Sequence, residues 1–297
     1  MPPPRAHLNP DPAQDLGLLR QVQQARSRGP VRPIQEGRAG AGPARQQPLA
    51  ERRALAPAVH AAEPAPGRVI AREPVGSDLL ILKIERPAGF DFVPGQHVRM
   101  GVDGDTHPYS IASAPAEPLL EFCLELVPGG RLTPKLWRLV PGDRVTLGER
   151  AKGSFVLDPS VSRHFMLATV TGVAPFVSML RHHLKAKSAT QRFYLLHGAS
   201  YADELVYRPH LELLAAQSGG RFTYVPAVSR PSDPRNAGFE GERGRLTAIA
   251  ARHAEAFALD ATSSCVYACG HPAMVAAIQA QFETDTQPVR TEAFFKA

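Results

Sequence analysis

Near residue 160 the pattern of this 297-residue chain changes, and that change limits the fold more than any single motif does. Before it, the chain runs as short alternating stretches, GRVIARE, DLLILKIE, HVRMGV, HPYSIAS, LLEFCLELV and DRVTLGE, separated by turns such as PGQ and PGD. Short, evenly spaced strands bounded by Gly and Pro read as a closed antiparallel β-barrel, interrupted by one helix over 132–140. After it, strand-sized apolar runs alternate with helical segments. FMLATV leads into PFVSMLRHHLKA, FYLLHG into ADELVYRPHLELLAAQ, FTYVPAVS into a helix over 246–252, and CVYACG into PAMVAAIQAQF. That alternation predicts an α/β doubly wound parallel sheet. Two ordered domains are expected, a barrel over 66–159 and an α/β domain over 160–297.

The first 65 residues fit neither pattern. They are rich in Pro, Ala, Gly, Gln and Arg and hold no sustained apolar period, so a disordered tail is expected. Within it, 15–26 (DLGLLRQVQQAR) alone has helical spacing, at Leu16, Leu18, Leu19 and Val22. Nine arginines against five acids place most of the net charge of +6 in this tail, so the folded part is near neutral. That distribution argues against a nucleic-acid partner, while a local basic patch suits an acidic protein. No apolar run approaches a membrane span, and the tail lacks the contiguous apolar core of a secretory signal. Three cysteines, Cys123, Cys265 and Cys269, are too few for a disulfide framework or for the four ligands of an iron–sulfur cluster. A cytoplasmic setting and no metal site are expected.

Several short segments carry chemistry. Pro108 fixes its own φ and biases His107 toward extended backbone, so Tyr109 and Ser110 end a barrel strand. An aromatic ring followed by a small hydroxyl suits an isoalloxazine, with the ring packed along its edge and the hydroxyl near N5. The same pair also reads as a packed tyrosine and a turn serine. Gly129, Gly130, Arg131, Leu132 and Thr133 precede the interrupting helix, where amides and a hydroxyl could converge on a phosphate; an ordinary hairpin turn is the other reading. Thr171 and Gly172 follow a strand and precede a proline-started helix, the place where open α/β sheets bind dinucleotides. The chain lacks GxGxxG, so a tight turn there stays open. Cys269 and Gly270 occupy the equivalent place after a later strand, where a small thiol could border a nicotinamide or simply be a buried structural cysteine. Arg230 and Arg245 stand at the carboxyl edge of the sheet, suited to a ribose 2′-phosphate, and no acid ends FYLLHG to favour a bare 2′-hydroxyl. Either arginine reads equally as a solvated loop charge.

Taken in order, VPGQHV, HPYSIAS, GGRLTPKLWRLVPGD, KGSFVLD, MLATVTGVAPFVSML, LLHGASYADEL, VSRP and YACGHPAMV resemble the ferredoxin (flavodoxin)–NADP reductase family, the bacterial type most closely. The resemblance covers the chain from about Gly67 onward. It implies a FAD-binding barrel followed by an NADP-binding domain, with hydride transfer between nicotinamide C4 and flavin N5 and single electrons passed to ferredoxin or flavodoxin, in a monomer. It implies FAD contacts at Tyr109, Ser110, Gly130 and Thr133, and nucleotide contacts at Thr171, Gly172, Arg230 and Arg245, with Cys269 near the nicotinamide. It also gives Glu292 as the family's active-site carboxylate, and Phe294 or Phe295 as the aromatic that covers the flavin. Two departures bear on the cofactors. His107 stands where the family usually has Arg, which replaces a permanent bidentate cation. Ser200 stands where the bacterial type often has Arg, which keeps NAD open beside NADP and admits an NADH-dependent reductase serving an oxygenase, a cytochrome or free flavin.

Overall fold

The computed structural model describes residues 65–186, 190–284 and 289–294, all within one compact unit. Except for Ala65, the expected tail lies outside the described residues, and so does the helical stretch over 15–26.

Six strands build the first sheet: β1 (Ala65–Val75), β2 (Leu79–Glu85), β3 (His97–Val102), β4 (Asp105–Ser110), β5 (Leu119–Glu125) and β6 (Arg144–Leu147). They pair antiparallel in the order β4-β3-β6-β1-β2-β5. Just past β4, the Ala112 N–H donates to the Glu121 carbonyl on β5 at 2.8 Å, so the two edge strands meet and the sheet curls into a barrel. The run LLILKIE shows why one strand can be apolar on both faces. Leu80, Leu82 and Ile84 point into the barrel with Val69, Met100 and Phe122, while Leu79 and Ile81 point outward into a second core shared with the α/β domain.

The interrupting helix α1 (Thr133–Trp137) is shorter than the expected 132–140. Pro141 disfavours helical backbone at Val140, and the last turn opens before it.

The second sheet is parallel throughout: β7 (Arg163–Thr169), β8 (Arg192–Ala199), β9 (Phe222–Val228), β10 (Glu242–Arg243), β11 (Ser264–Gly270) and β12 (Val289–Ala293), in the order β10-β9-β8-β7-β11-β12. Helices cover both faces, as the strand–helix alternation predicts. α2 (Ala174–His183) and α3 (Arg208–Gln217) lie over Met166, Ala168, Phe193, Leu195 and Tyr267; α4 (Leu246–Ala256) and α5 (Pro272–Phe282) lie over Phe165, Leu167, Leu196, Val266 and Ala268. The helical segment expected over 202–217 is broken into a 3-10 turn, Ala202–Glu204, and α3. Pro209 has no N–H to give and its ring would strike the carbonyl four residues back, so the chain resets through left-handed backbone at Tyr207 (φ 64°).

Polar contacts fix the seam between barrel and α/β layer. Arg181 on α2 reaches Glu121 on β5 at 3.0 Å and Glu117 at 3.4 Å, and Lys83 on β2 reaches Glu121 at 3.4 Å. Nearby, the Ser178 hydroxyl donates to the Ser113 carbonyl at 2.6 Å. The seam therefore has an apolar floor and a charged rim, which holds the end of the barrel against the crevice described next.

Candidate functional site

Strand order reverses between β7 and β11, the switch point at which open α/β sheets form their ligand crevice. TGVAPF runs through a 3-10 turn, Val170–Val173, into the start of α2, and CGHP runs from the end of β11 into α5; the fold locks the two connections together. A Cβ at Gly172 would lie 2.3 Å from the Cys269 carbonyl oxygen. Gly270 has φ +127°, and a Cβ there would lie 2.2 Å from Thr169 Oγ1. Thr169 Oγ1 in turn accepts the His271 N–H at 2.8 Å. The first loop is strained, because Val170, a β-branched residue, has φ 45°. Its carbonyl accepts from Nε2 of fully buried His197 at 3.1 Å, leaving Nδ1 to accept the Tyr224 hydroxyl at 3.2 Å. α5 is capped by His271 Nδ1, which accepts the Ala273 N–H at 3.2 Å. The N-terminus of α2, in contrast, has no side-chain cap and follows the Thr171–Gly172 loop directly. Its first two positions have no amide to spare, since the Ala174 N–H donates to the Thr171 carbonyl of the preceding 3-10 turn and Pro175 has none.

Three sequence-predicted residues from three strands meet where barrel and crevice join. Ser110 Oγ on β4 donates to Glu292 Oε1 on β12 at 3.1 Å. Glu292 is the register partner of Cys269 on β11. Burial pushes the Glu292 carboxyl upward, against the Ser110 hydrogen bond, and burial followed by the Glu292 charge pushes the Cys269 thiol well above its ordinary range. Cys269 is therefore a neutral thiol, fit to shape a pocket rather than to attack. Beside them Tyr109 packs half-buried on the barrel core, its phenol raised by burial to about 12.

Pro108 and His107 are exposed on β4. Two cations stand close by: Arg131 and Lys135 each reach Asp105 at 2.9 Å and, with Lys135 first, hold its carboxyl low. Gly129 (φ 75°) and Gly130 form the turn before α1, Leu132 is buried, and Thr133 Oγ1 accepts the Val127 N–H at 3.0 Å. A five-residue helix adds little dipole, so this loop offers amides and a hydroxyl more than a helix end.

Arg230 and Arg245 are both exposed past the carboxyl edge of the sheet, Arg245 at the start of α4. Arg230 donates to the Tyr201 hydroxyl at 2.6 Å. Arg235, absent from the sequence reading, stacks 3.6 Å from the Tyr201 ring centroid while gripping both Asp203 oxygens at 2.8 and 2.9 Å. Asn236, also missed, is buried and ties the two loops: Nδ2 donates to the Ser200 and Arg230 carbonyls at 3.0 and 2.8 Å, and Oδ1 accepts the Ala202 N–H at 2.8 Å. A Pro-flanked, polar stretch gave no apolar period from which to find either residue. At the C-terminus, the Phe294 N–H donates to the Gly270 carbonyl at 2.9 Å and its ring packs partly buried on the shared core; Phe295 lies outside the described residues.

Comparison with known proteins agrees with this geometry. Residues 166–280 match the family described as Oxidoreductase NAD-binding domain. The Flavodoxin/ferredoxin–NADP reductase of Escherichia coli is 34% identical over 211 residues, covering 66% of this chain and 81% of the relative. Ferredoxin–NADP reductase B of Sorangium cellulosum is 35% identical over 196 residues, covering 63% and 77%. Among solved structures, the ferredoxin NADP+ reductase from Neisseria gonorrhoeae with bound FAD and NADP superposes with a TM-score of 0.68 at 23% identity, covering 79% of this chain and all of that one, which speaks to the fold. With the fold, the ordered motifs and a relative of this similarity in agreement, the chain belongs to the ferredoxin (flavodoxin)–NADP reductase family.

Proposed function

We propose that this protein is a FAD-dependent oxidoreductase that moves electrons between NADPH and a one-electron carrier, ferredoxin or flavodoxin. The observation that carries the reading is the meeting of Ser110, Glu292 and Cys269 at the junction of the barrel with the crevice between β7 and β11. Bound FAD supplies the redox chemistry, taking a hydride equivalent from the nicotinamide and returning electrons singly. The residues present suit both cofactors. On the barrel, 66–159, Tyr109 offers a ring face and Ser110 a hydroxyl, while Gly129–Thr133, His107 and the cations Arg131 and Lys135, which meet at Asp105, suit a pyrophosphate. In the α/β domain, 160–297, the Thr171–Gly172 turn, where a glycine lets a ligand approach the backbone, suits a second pyrophosphate, and Arg230 with Arg245 suits a 2′-phosphate. Cys269 shapes the nicotinamide pocket, and Phe294 or Phe295 covers the flavin. Proximity and orientation, rather than an acid or base, carry most of the rate.

A carrier of acidic surface, a monomeric state and a cytoplasmic setting complete the reading, with 1–65 as an appended tail. Among the described residues no helix is long and apolar enough to cross a membrane.

The nucleotide assignment has a direct test. Two charge-assisted hydrogen bonds of about 1.5–3 kcal/mol each amount to roughly 10²-fold or more in affinity. The double variant Arg230→Ala, Arg245→Ala is therefore expected to lower kcat/KM for NADPH by roughly that factor and to leave NADH nearly unchanged, with ferredoxin or an artificial acceptor alike. An equal loss for both nucleotides would contradict a 2′-phosphate site.

A further inference from the structure

We propose that His97 is a positioning residue that shares a proton with Glu292 across the seam and thereby sets which way the Ser110 hydroxyl donates; its place in hydride transfer rests on the function proposed above. The β3–β4 register sets His97 directly opposite Ser110. His97 Nδ1 is buried without a hydrogen-bond partner and lies 3.9 Å from Glu292 Oε1. The ring is held in that place. Backbone bonds of 2.9 and 2.8 Å tie His97 to Lys152, and a Cβ at the next residue, Gly153, would come within 2.9 Å of Nδ1.

Four groups govern the charge here. Glu292 faces His97 from β12, Lys152 from the bridging segment, and Ser110 from β4, while Cys269 on β11 stands behind Glu292. Burial and then Lys152 lower the proton affinity of His97, and burial raises that of Glu292 against the Ser110 hydrogen bond. The two shifts run toward each other, and with Nδ1 and Oε1 3.9 Å apart across a buried contact the imidazole and carboxyl titrate as a pair. With the proton on His97, Glu292 is an acceptor only, and Ser110 donates to it across the 3.1 Å contact. With the proton on Glu292, the carboxyl can donate to Ser110 Oγ, and the Ser110 hydrogen is released toward the open side of the site. His97 thus gives the site a positive charge that Ser110 and Glu292 alone lack.

The purified full-length protein tests this through the imidazole resonances of His97, assigned by their loss in His97→Phe. Glu292→Gln removes the paired carboxylate, and the His97 titration midpoint is expected to fall by about one pH unit, a tenfold loss of proton affinity. A midpoint moved by less than about 0.2 pH unit would overturn the proposal. An independent readout covers the case of a Glu292→Gln protein that does not fold: in His97→Phe, the infrared carboxylic-acid band of Glu292 is expected to persist to a pH about one unit higher than in the parent. An unmoved band would equally overturn it. Neither measurement uses NADPH or an electron carrier, so either can fail while the proposed activity stands.

Discussion

Acidification from pH 6.5 toward pH 4 is expected to destabilise the fold by roughly 3 kcal/mol for each of two histidines, His164 and His197. Both are completely buried, and burial lowers each from 6.5 to about 4; for His164 the neighbouring His183 adds to the effect. Well above 6.5 both rings are neutral whether the chain is folded or unfolded. As the pH falls below that value the unfolded chain takes up protons that the folded chain refuses, so stability is lost progressively and the loss is complete near the folded-state value of about 4. The local bonding explains the refusal. The Tyr267 hydroxyl accepts the Asp158 N–H at 2.9 Å and so has its hydrogen to give to His164 Nδ1 at 3.1 Å, which requires a neutral acceptor nitrogen. His197 donates to Val170 through Nε2 and accepts Tyr224 through Nδ1, again the neutral form. By pH 5 each histidine should already account for about 2 kcal/mol. Urea denaturation at pH 7 and pH 5 measures the loss, and His164→Phe should remove about half of it, since that ring already stacks on Phe193 with centroids 5.1 Å apart. A midpoint that does not move between the two pH values would contradict neutral burial.

The second large effect is local. Gly270→Ala is expected to reduce hydride transfer from NADPH about 10²-fold and to cost about 3 kcal/mol of stability. At φ +127° an L-residue is strained, and the added methyl would lie 2.2 Å from Thr169 Oγ1 and 2.9 Å from the Thr169 carbonyl. Backbone on one side must move. Thr169 leads into the strained turn at Val170, and Gly270 accepts the Phe294 N–H beside Glu292, so any shift displaces both halves of the proposed site. Stopped-flow reduction by NADPH reads the rate, and thermal unfolding reads the stability. A variant with the parent's rate would show that the tight contact between the two loops does not set the reacting geometry.

The sequence carried most of this architecture because the apolar period changes at the layer boundary. A period of two describes HVRMGV and DRVTLGE; strand and helix lengths alternate from FMLATV onward; and PAMVAAIQAQF coincides with α5. Errors fell where local chemistry overrode composition. Helical residues run through 202–217, yet Pro209 breaks them, and Pro141 shortens α1. Ser110, Cys269 and Glu292 stand out in the sequence as a hydroxyl, a thiol and a carboxylate at strand ends, and the fold brings the three together. His97 does not stand out, although a signal existed. Asp103 and Gly104, both with positive φ, form a two-residue turn, and such a turn fixes the register that sets His97 opposite Ser110. Arg235 and Asn236 had no such signal, because their placement depends on Tyr201 and Ser200 from a different strand connection.

The central claim is that a flavin held by the barrel accepts electrons from a nicotinamide held by the crevice. An anaerobic titration of the purified protein, followed in the visible spectrum, tests it most directly. The account predicts a yellow protein that is bleached by one equivalent of NADPH, requires much more NADH for the same change, and recovers its colour on addition of oxidised ferredoxin or flavodoxin. A protein that remains colourless after incubation with FAD, or one that stays yellow when NADPH is added, would contradict it.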